Sequence, residues 1–166
     1  TKSVEGALAW KTNDKLSFNL AGMYGPEQAS NDHSQRSLID FLATYKPFDK
    51  WTFMVNADYG HEEDLIAAGK DASWSGLAAY ARYDVNDKMS LINRTEFMSD
   101  RQGQRIVAGT MQDVWENTFT LELKPYKDLI TRLEYRHDES SSPIYTDNQK
   151  ASSHQDTIGL EAIYIF

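Results

Sequence analysis

The amino-acid sequence predicts an all-β protein, an up-and-down antiparallel transmembrane β-barrel, on three observations. Four ten-residue stretches align without gaps: AWKTNDKLSF from Ala9, TYKPFDKWTF from Thr44, RYDVNDKMSL from Arg82 and ELKPYKDLIT from Glu122. Each places a turn between a strand end and a fresh apolar start. The segments between turns alternate apolar and polar residues with a period of two, as a strand with two unlike faces requires. Aromatic residues gather at the two ends of those segments, with smaller aliphatics between them.

The turns come first because they set the register. Asn13-Asp14 and Asn86-Asp87 tolerate left-handed φ, and Pro47 and Pro125 preset φ for the second position of a turn, so all four stretches predict tight hairpins. They recur at spacings of 35, 38 and 40 residues. Counting outward predicts nine strands, at 4–12, 15–25, 36–46, 50–60, 73–85, 88–98, 113–124, 128–138 and 155–166. Their lengths, roughly 9 to 14 residues, exceed the usual strand of globular sheets and suffice to cross a hydrocarbon layer when tilted. The other connections, Gly25 to Gln35, Gly60 to Ser73, Ser99 to Asp113 and His137 to Gln155, read as longer, polar and irregular. Short turns at one end and long loops at the other describe a meander whose two ends meet different surroundings.

Composition closes off other classes. The 166 residues suit one domain over 1–166. No apolar run approaches the length of a membrane-spanning helix, which excludes a helical membrane protein. A formal charge of −8 argues against a nucleic-acid partner, and zero cysteines leave no disulfide, thiolate or zinc-knuckle chemistry. No glycine-rich phosphate loop is present, and no cofactor is expected. Nine is an odd number, whereas bacterial single-chain barrels are even-stranded. The sequence is therefore expected to be the C-terminal portion of a larger even-stranded barrel, in preference to a complete chain that borrows a strand from another copy, with Phe166 at the short-turn, periplasmic rim.

A soluble sandwich gives the same alternation, but the aromatic belts favour a membrane, where amphipathic rings lie at headgroup depth. One belt, beside the short turns, takes Trp10, Tyr45, Trp51 and Tyr83, joined by Tyr164 and Phe166. The other, near the long loops, takes Tyr24, Tyr59, Phe97, Trp115 and Tyr135. The opposite face collects the charges expected to line a lumen: Asp40, Asp58, Arg82, Arg94, Glu96, Glu116, Glu122, Arg132, Glu134, Arg136 and Glu161. Asp58, Glu96, Glu122, Glu134 and Glu161 are the expected partners of the four arginines, and interlocking cross-strand ion pairs that rigidify a narrow barrel are the competing role. Asn93, Thr95, Asn117 and Thr131 break the apolar face. Leu42, Met54, Trp74, Ile92 and Ile130 break the polar one.

The hairpins YKPFDKW and YDVNDKMSL, the run TRLEYRHDESS and the final QDTIGLEAIYIF resemble the OmpL-like beta-barrel porin family of Gram-negative outer membranes. That resemblance implies an outer-membrane barrel for passive diffusion of small hydrophilic solutes or ions. The expected partners are outer-membrane lipid, the barrel assembly machinery, whose signal the terminal Phe166 resembles, and a homo-oligomer or other envelope proteins. The overall acidity adds an expected mild cation preference. The alternative is a non-conducting outer-membrane barrel whose loops act as adhesin, receptor or scaffold. An outer-membrane hydrolase using His137 with Asp138, or His154 with Asp156 and Ser153, is disfavoured, since adjacent strand residues point oppositely. A metal at His61, Glu62, Glu63 and Asp64 is weighed against a solvated acidic loop.

Overall fold

The structure, a computed structural model describing residues 2–166, is a single meander. The long strands are β1 (Val4–Asn13), β2 (Leu16–Gly25), β3 (Arg36–Phe48), β4 (Trp51–Ala67), β5 (Lys70–Asn86), β6 (Met89–Asp100), β7 (Gln112–Tyr126) and β8 (Leu129–Ser140). A small hairpin of β9 (Tyr145–Asp147) and β10 (Lys150–Ser152) follows, and β11 (His154–Tyr164) is the ninth long strand. The long strands form one nine-stranded antiparallel sheet in the order β1-β2-β3-β4-β5-β6-β7-β8-β11. Every neighbour in sequence is a neighbour in space, as an up-and-down wall requires.

The short turns fall where the sequence places them, and one device repeats. Lys15 N donates to Asn13 Oδ1 and Lys88 N to Asn86 Oδ1, each at 2.9 Å, so the asparagine closes its own turn. A register shift sits beside each turn, at Lys11/Asn13, Tyr45/Phe48, Asp84/Asn86 and Leu123/Tyr126. Each turn is then tied to the next hairpin by one backbone bond: Lys46 N to Lys15 O, Asp84 N to Lys50 O, Lys124 N to Lys88 O and Ile165 N to Asp128 O, at 2.7 to 2.8 Å. Ile165 thus takes the place in the repeat that Lys46, Asp84 and Lys124 take, next to Tyr164.

Two of the expected irregular loops are more ordered than the sequence suggests. Over Gly60 to Ser73 the strands β4 and β5 run on past their neighbours to Ala67 and Lys70 and turn at Gly69, whose φ of +72° suits a residue without Cβ. Asp64 binds this tip, accepting from Gly69 N and donating its own N–H to Asp71. Polar composition hid the hairpin, because Gly60 to Ser73 carries no period-two apolar stripe. Over His137 to Gln155 the β9–β10 hairpin turns at Asn148 and Gln149, both at positive φ (47° and 67°), the conformation of a type I′ turn.

The faces differ in shelter. Leu8, Val55, Leu77, Phe119, Leu133, Ile158 and Leu160 are all exposed, while Glu62, Glu116, Glu122 and Asp138 are buried. Only Ala72 and Ala78 form a buried apolar core among the described residues. A water-soluble domain buries its apolar face; this sheet shelters its charged one.

Candidate lumen wall

On the sheltered face the registers align polar side chains in rows across the sheet. Glu96, Glu116 and Asp138 are cross-strand neighbours, as are Arg94, Thr118 and Arg136, and Glu122, Arg132 and Glu161. Two sunken carboxylates, Glu122 and Glu116, are each shared by two guanidinium groups. Glu122 accepts from Arg82 Nη2 and Arg132 Nε, both at 2.9 Å, while its own side chain is 3% exposed. Glu116 accepts from Arg94 Nη2 at 2.7 Å and lies 3.2 Å from Arg136 Nη2. Carboxylates that deep need such partners, because an unpaired buried charge is very costly.

Of the residues predicted to line a lumen, all eleven stand on this face, and they divide by partner. Glu96, Glu122 and Glu161 meet arginines as expected, at 3.3, 2.9 and 2.9 Å. Asp58 and Glu134 do not: Asp58 stands across from Asp40, and Glu134 accepts from Thr120 Oγ1 at 2.6 Å. Asp40 accepts from Asn56 Nδ2 at 2.7 Å. None of these three carboxylates has an ion-pair partner among the described residues. The partners that pairwise reading missed are Glu116, which meets Arg94 and Arg136 from the strand between them, and Asp84, beside Arg82, and Asp138, beside Arg136, the two aspartates each at i+2 on the arginine's own strand. A period-two face makes i and i+2 neighbours, so that signal was present.

The aromatic belt residues within the strands all stand on the open face. Trp51 packs on Tyr83 with ring centroids 4.9 Å apart, Trp10 on Phe18 at 5.1 Å, and Phe97 pairs with Trp115 across the strands. Tyr24, Tyr45, Tyr59, Tyr135 and Tyr164 are exposed there, and Phe166, past the end of β11, is exposed as well. Three of the polar interruptions of this face, Asn93, Thr95 and Asn117, bind one another. Asn93 Nδ2 donates to Asn117 Oδ1 (3.2 Å) and to Thr118 O (3.3 Å), and Asn117 Nδ2 donates to Thr95 Oγ1 (2.6 Å) and Arg94 O (3.2 Å). Engaged donors of this kind lower the cost of a polar side chain on an apolar face.

The histidine pairs separate as strand geometry requires. Asp138 turns to Arg136, whereas His137 Nδ1 lies 2.8 Å from Asp156, which also accepts from Tyr135 Oη at 2.7 Å. Ser152, not Ser153, binds the His154 backbone. The run His61 to Asp64 disperses: Glu62 faces Arg36 and Arg105, Glu63 accepts from Gln35 N, and Asp64 accepts from Ser34 Oγ.

At the long-loop end, beyond Tyr59 and Phe97, the connection 101–111 bends back over the sheltered face. Asp100, 1% exposed, binds its start by accepting from the backbone N–H groups of Gln104, Arg105 and Ile106 at 2.7 to 2.9 Å. Burial pushes the Asp100 carboxyl up, but those N–H groups outweigh it and hold it below the usual carboxylate range. Arg105 then reaches across β5 to β4, stacking 3.7 Å over the Trp74 ring and donating to Glu62. Glu62 also accepts from Arg36 Nε and Nη2 at 2.8 and 3.0 Å. Burial pushes Glu62 up as well, and the two guanidinium groups override it, so its pKa is lowered.

Comparison with known proteins follows this geometry. The model of a family described as "Putative beta-barrel porin-2, OmpL-like" matches residues 1–166. Among solved structures the chain is similar to the NanC porin, with a TM-score of 0.67 at 15% identity over 99% of this chain and 78% of that one. It is similar also to the outer membrane channel DcaP of Acinetobacter baumannii, with a TM-score of 0.65 at 13% identity over 96% of this chain and 51% of that one. Among curated proteins nothing matches. At such identities these structures share the fold alone.

Proposed function

The chain belongs to the OmpL-like putative beta-barrel porin-2 family, and on that premise we propose that it walls an aqueous pore in a Gram-negative outer membrane through which small hydrophilic solutes or ions diffuse passively. The observation that carries this reading is the inverted burial. Guanidinium–carboxylate clusters occupy the sheltered face and apolar side chains the exposed one. A lumen full of water and a wall against lipid ask for that arrangement. The ion pairs serve both expected roles at once, since sharing Glu116 and Glu122 between strands stiffens the wall while leaving the arginines at its surface.

The charge balance supports a mild cation preference. Arg82, Arg94, Arg132 and Arg136 share six carboxylates, Asp84, Glu96, Glu116, Glu122, Asp138 and Glu161, and Asp40, Asp58 and Glu134 stand apart from any arginine among the described residues. Fixed charge in a pore biases permeation toward the opposite sign. Closure is part of the same proposal. β1 and β11 pair on one side only, and backbone N–H and C=O groups cannot face hydrocarbon. With nine antiparallel strands these two edges run the same way, so an odd number of further strands closes the barrel with antiparallel pairing throughout. The lipid, the assembly machinery and other envelope proteins or copies are the partners such a barrel engages.

The test is a planar-bilayer recording of the full-length protein under a salt gradient. Ohmic channels with a reversal potential on the cation side are expected. A protein that inserts as a folded barrel yet passes no current refutes the pore.

A further inference from the structure

The 101–111 connection has more structure than a surface loop needs. It joins two paired strand ends, Asp100 and Gln112, which a short turn would also join. Instead it runs sideways over β5 to β4, about 10 Å at the usual strand spacing. Glu62, Ala72 and Trp74, the groups beneath it, share the face of Asp58 and Gly76, which is the sheltered, charged face. Glu62 and Ala72, both at the rim, are 0% and 2% exposed.

Three contacts fix it there. Asp100 gathers the backbone N–H groups at its start. Gly103, at φ +63°, allows a crossing that a Cβ would block against the Thr110 backbone, and Gly109 N closes onto Gly103 O at 2.8 Å. Arg105 slides its guanidinium over Trp74, whose indole lies flat on β4 because Gly60 has no side chain there. Glu62 then holds Arg105 from the loop and Arg36 from β3 with one carboxylate. Arg105 Nε is buried without a hydrogen-bond partner among the described residues, a cost that the stack and the ion pair offset.

We propose that the 101–111 loop is the constriction that sets the size limit of the pore, with Glu62 as the positioning residue that latches it against the lumen wall. This rests on the pore reading above and deepens it. The loop acts by its position: held inward by Glu62 it narrows the mouth, and released it swings clear and widens it. Glu62 touches no solute in this role. It works through Arg105.

The test uses the full-length protein in planar bilayers, read as single-channel conductance and as the largest polyethylene glycol that enters the pore. Two variants are compared with wild type, each checked for folding by its heat-dependent gel migration: Glu62→Ala, and a chain in which residues 102–109 are replaced by two glycines. Both are expected to raise conductance roughly twofold and to admit larger polymers, because permeation follows pore diameter. Glu62→Ala is expected to add nothing in the shortened background. A conducting wild type whose shortened and Glu62→Ala forms keep its conductance and polymer cut-off overturns the constriction. A change with the shortened loop alone overturns the latch. A folded wild type that carries no current tells against the pore reading itself, which separates the two failures.

Discussion

Glu122 offers the sharpest test of the wall, because Arg132 holds two carboxylates that differ in burial. Glu122 is 3% exposed and accepts from Arg82 and Arg132, while Glu161 is 51% exposed and accepts from Arg132 Nη1 at 2.9 Å. A hydrogen bond to a charged group contributes about 1.5 to 3 kcal/mol net. Breaking a fully buried pair by removing one partner costs about 3 to 5 kcal/mol. The guanidinium groups remain 27% and 32% exposed, so water takes up part of what they lose, and Glu122→Ala is expected to cost about 2 to 4 kcal/mol. Glu161→Ala removes a pair of the surface kind and is expected to cost about 0 to 1 kcal/mol. Urea unfolding of the protein in lipid vesicles, followed by tryptophan fluorescence, measures both. In a cycle with Arg132→Met the Glu122 pair is expected to couple by about 1 to 3 kcal/mol. Equal costs for the two glutamates, both under about 1 kcal/mol, would refute the claim that sunken carboxylates hold the wall.

Further outcomes follow from the same contacts. Gly60→Ala puts a Cβ into the Trp74 indole; overpacking of this kind costs about 1 to 3 kcal/mol, and the displaced ring is expected to release Arg105 and raise conductance as Glu62→Ala does. Converting Asn93 and Asn117 together to Leu is expected to change stability by less than about 1 kcal/mol, since replacing both partners of a bond is close to neutral; vesicle unfolding measures it, and a loss above about 3 kcal/mol contradicts a lipid-facing site. Asn86→Ala removes the bond that closes the β5–β6 turn and is expected to cost about 1 kcal/mol, read by the same unfolding assay. For pH, Glu62 and Asp100 both have folded pKa values below their ordinary ones. A group depressed in this way contributes fully above its unfolded value, about 4 for a carboxylate, and loses that contribution as pH falls through the lower folded value. Conductance is therefore expected to hold steady from pH 7 to 5 and to rise only below about pH 4; a step between pH 7 and 5 contradicts the latch.

Much of the fold is written in a local code. Asn13, Pro47, Asn86 and Pro125 mark turns for reasons internal to a few residues, and period-two alternation then assigns each side chain a face whatever its partner. That is why the nine long strands and the sidedness of the charged residues were legible. The extension of β4 and β5 was not, because Glu62 to Asp71 carries no apolar stripe to count. Pairing was legible only in part. Arg132 with Glu122 follows from register, but Asp84 and Asp138 serve arginines on their own strands, and Arg105 finds Glu62 across a distance that no sequence spacing encodes. The loop's inward path depends on Gly60 making room for Trp74, a contact between residues whose pairing appears only once strands are laid side by side.

The sidedness of the wall is the claim on which the rest depends, and a cysteine scan tests it most directly, since the chain has no cysteine of its own. Single cysteines at Arg132, Glu134 and Arg136 and at Leu133 and Tyr135, in the full-length protein folded in vesicles, are treated with a charged, water-soluble thiol reagent. Labelling at 132, 134 and 136 with protection at 133 and 135 is the expected result. Labelling at 133 and 135 with protection at the even positions would contradict it.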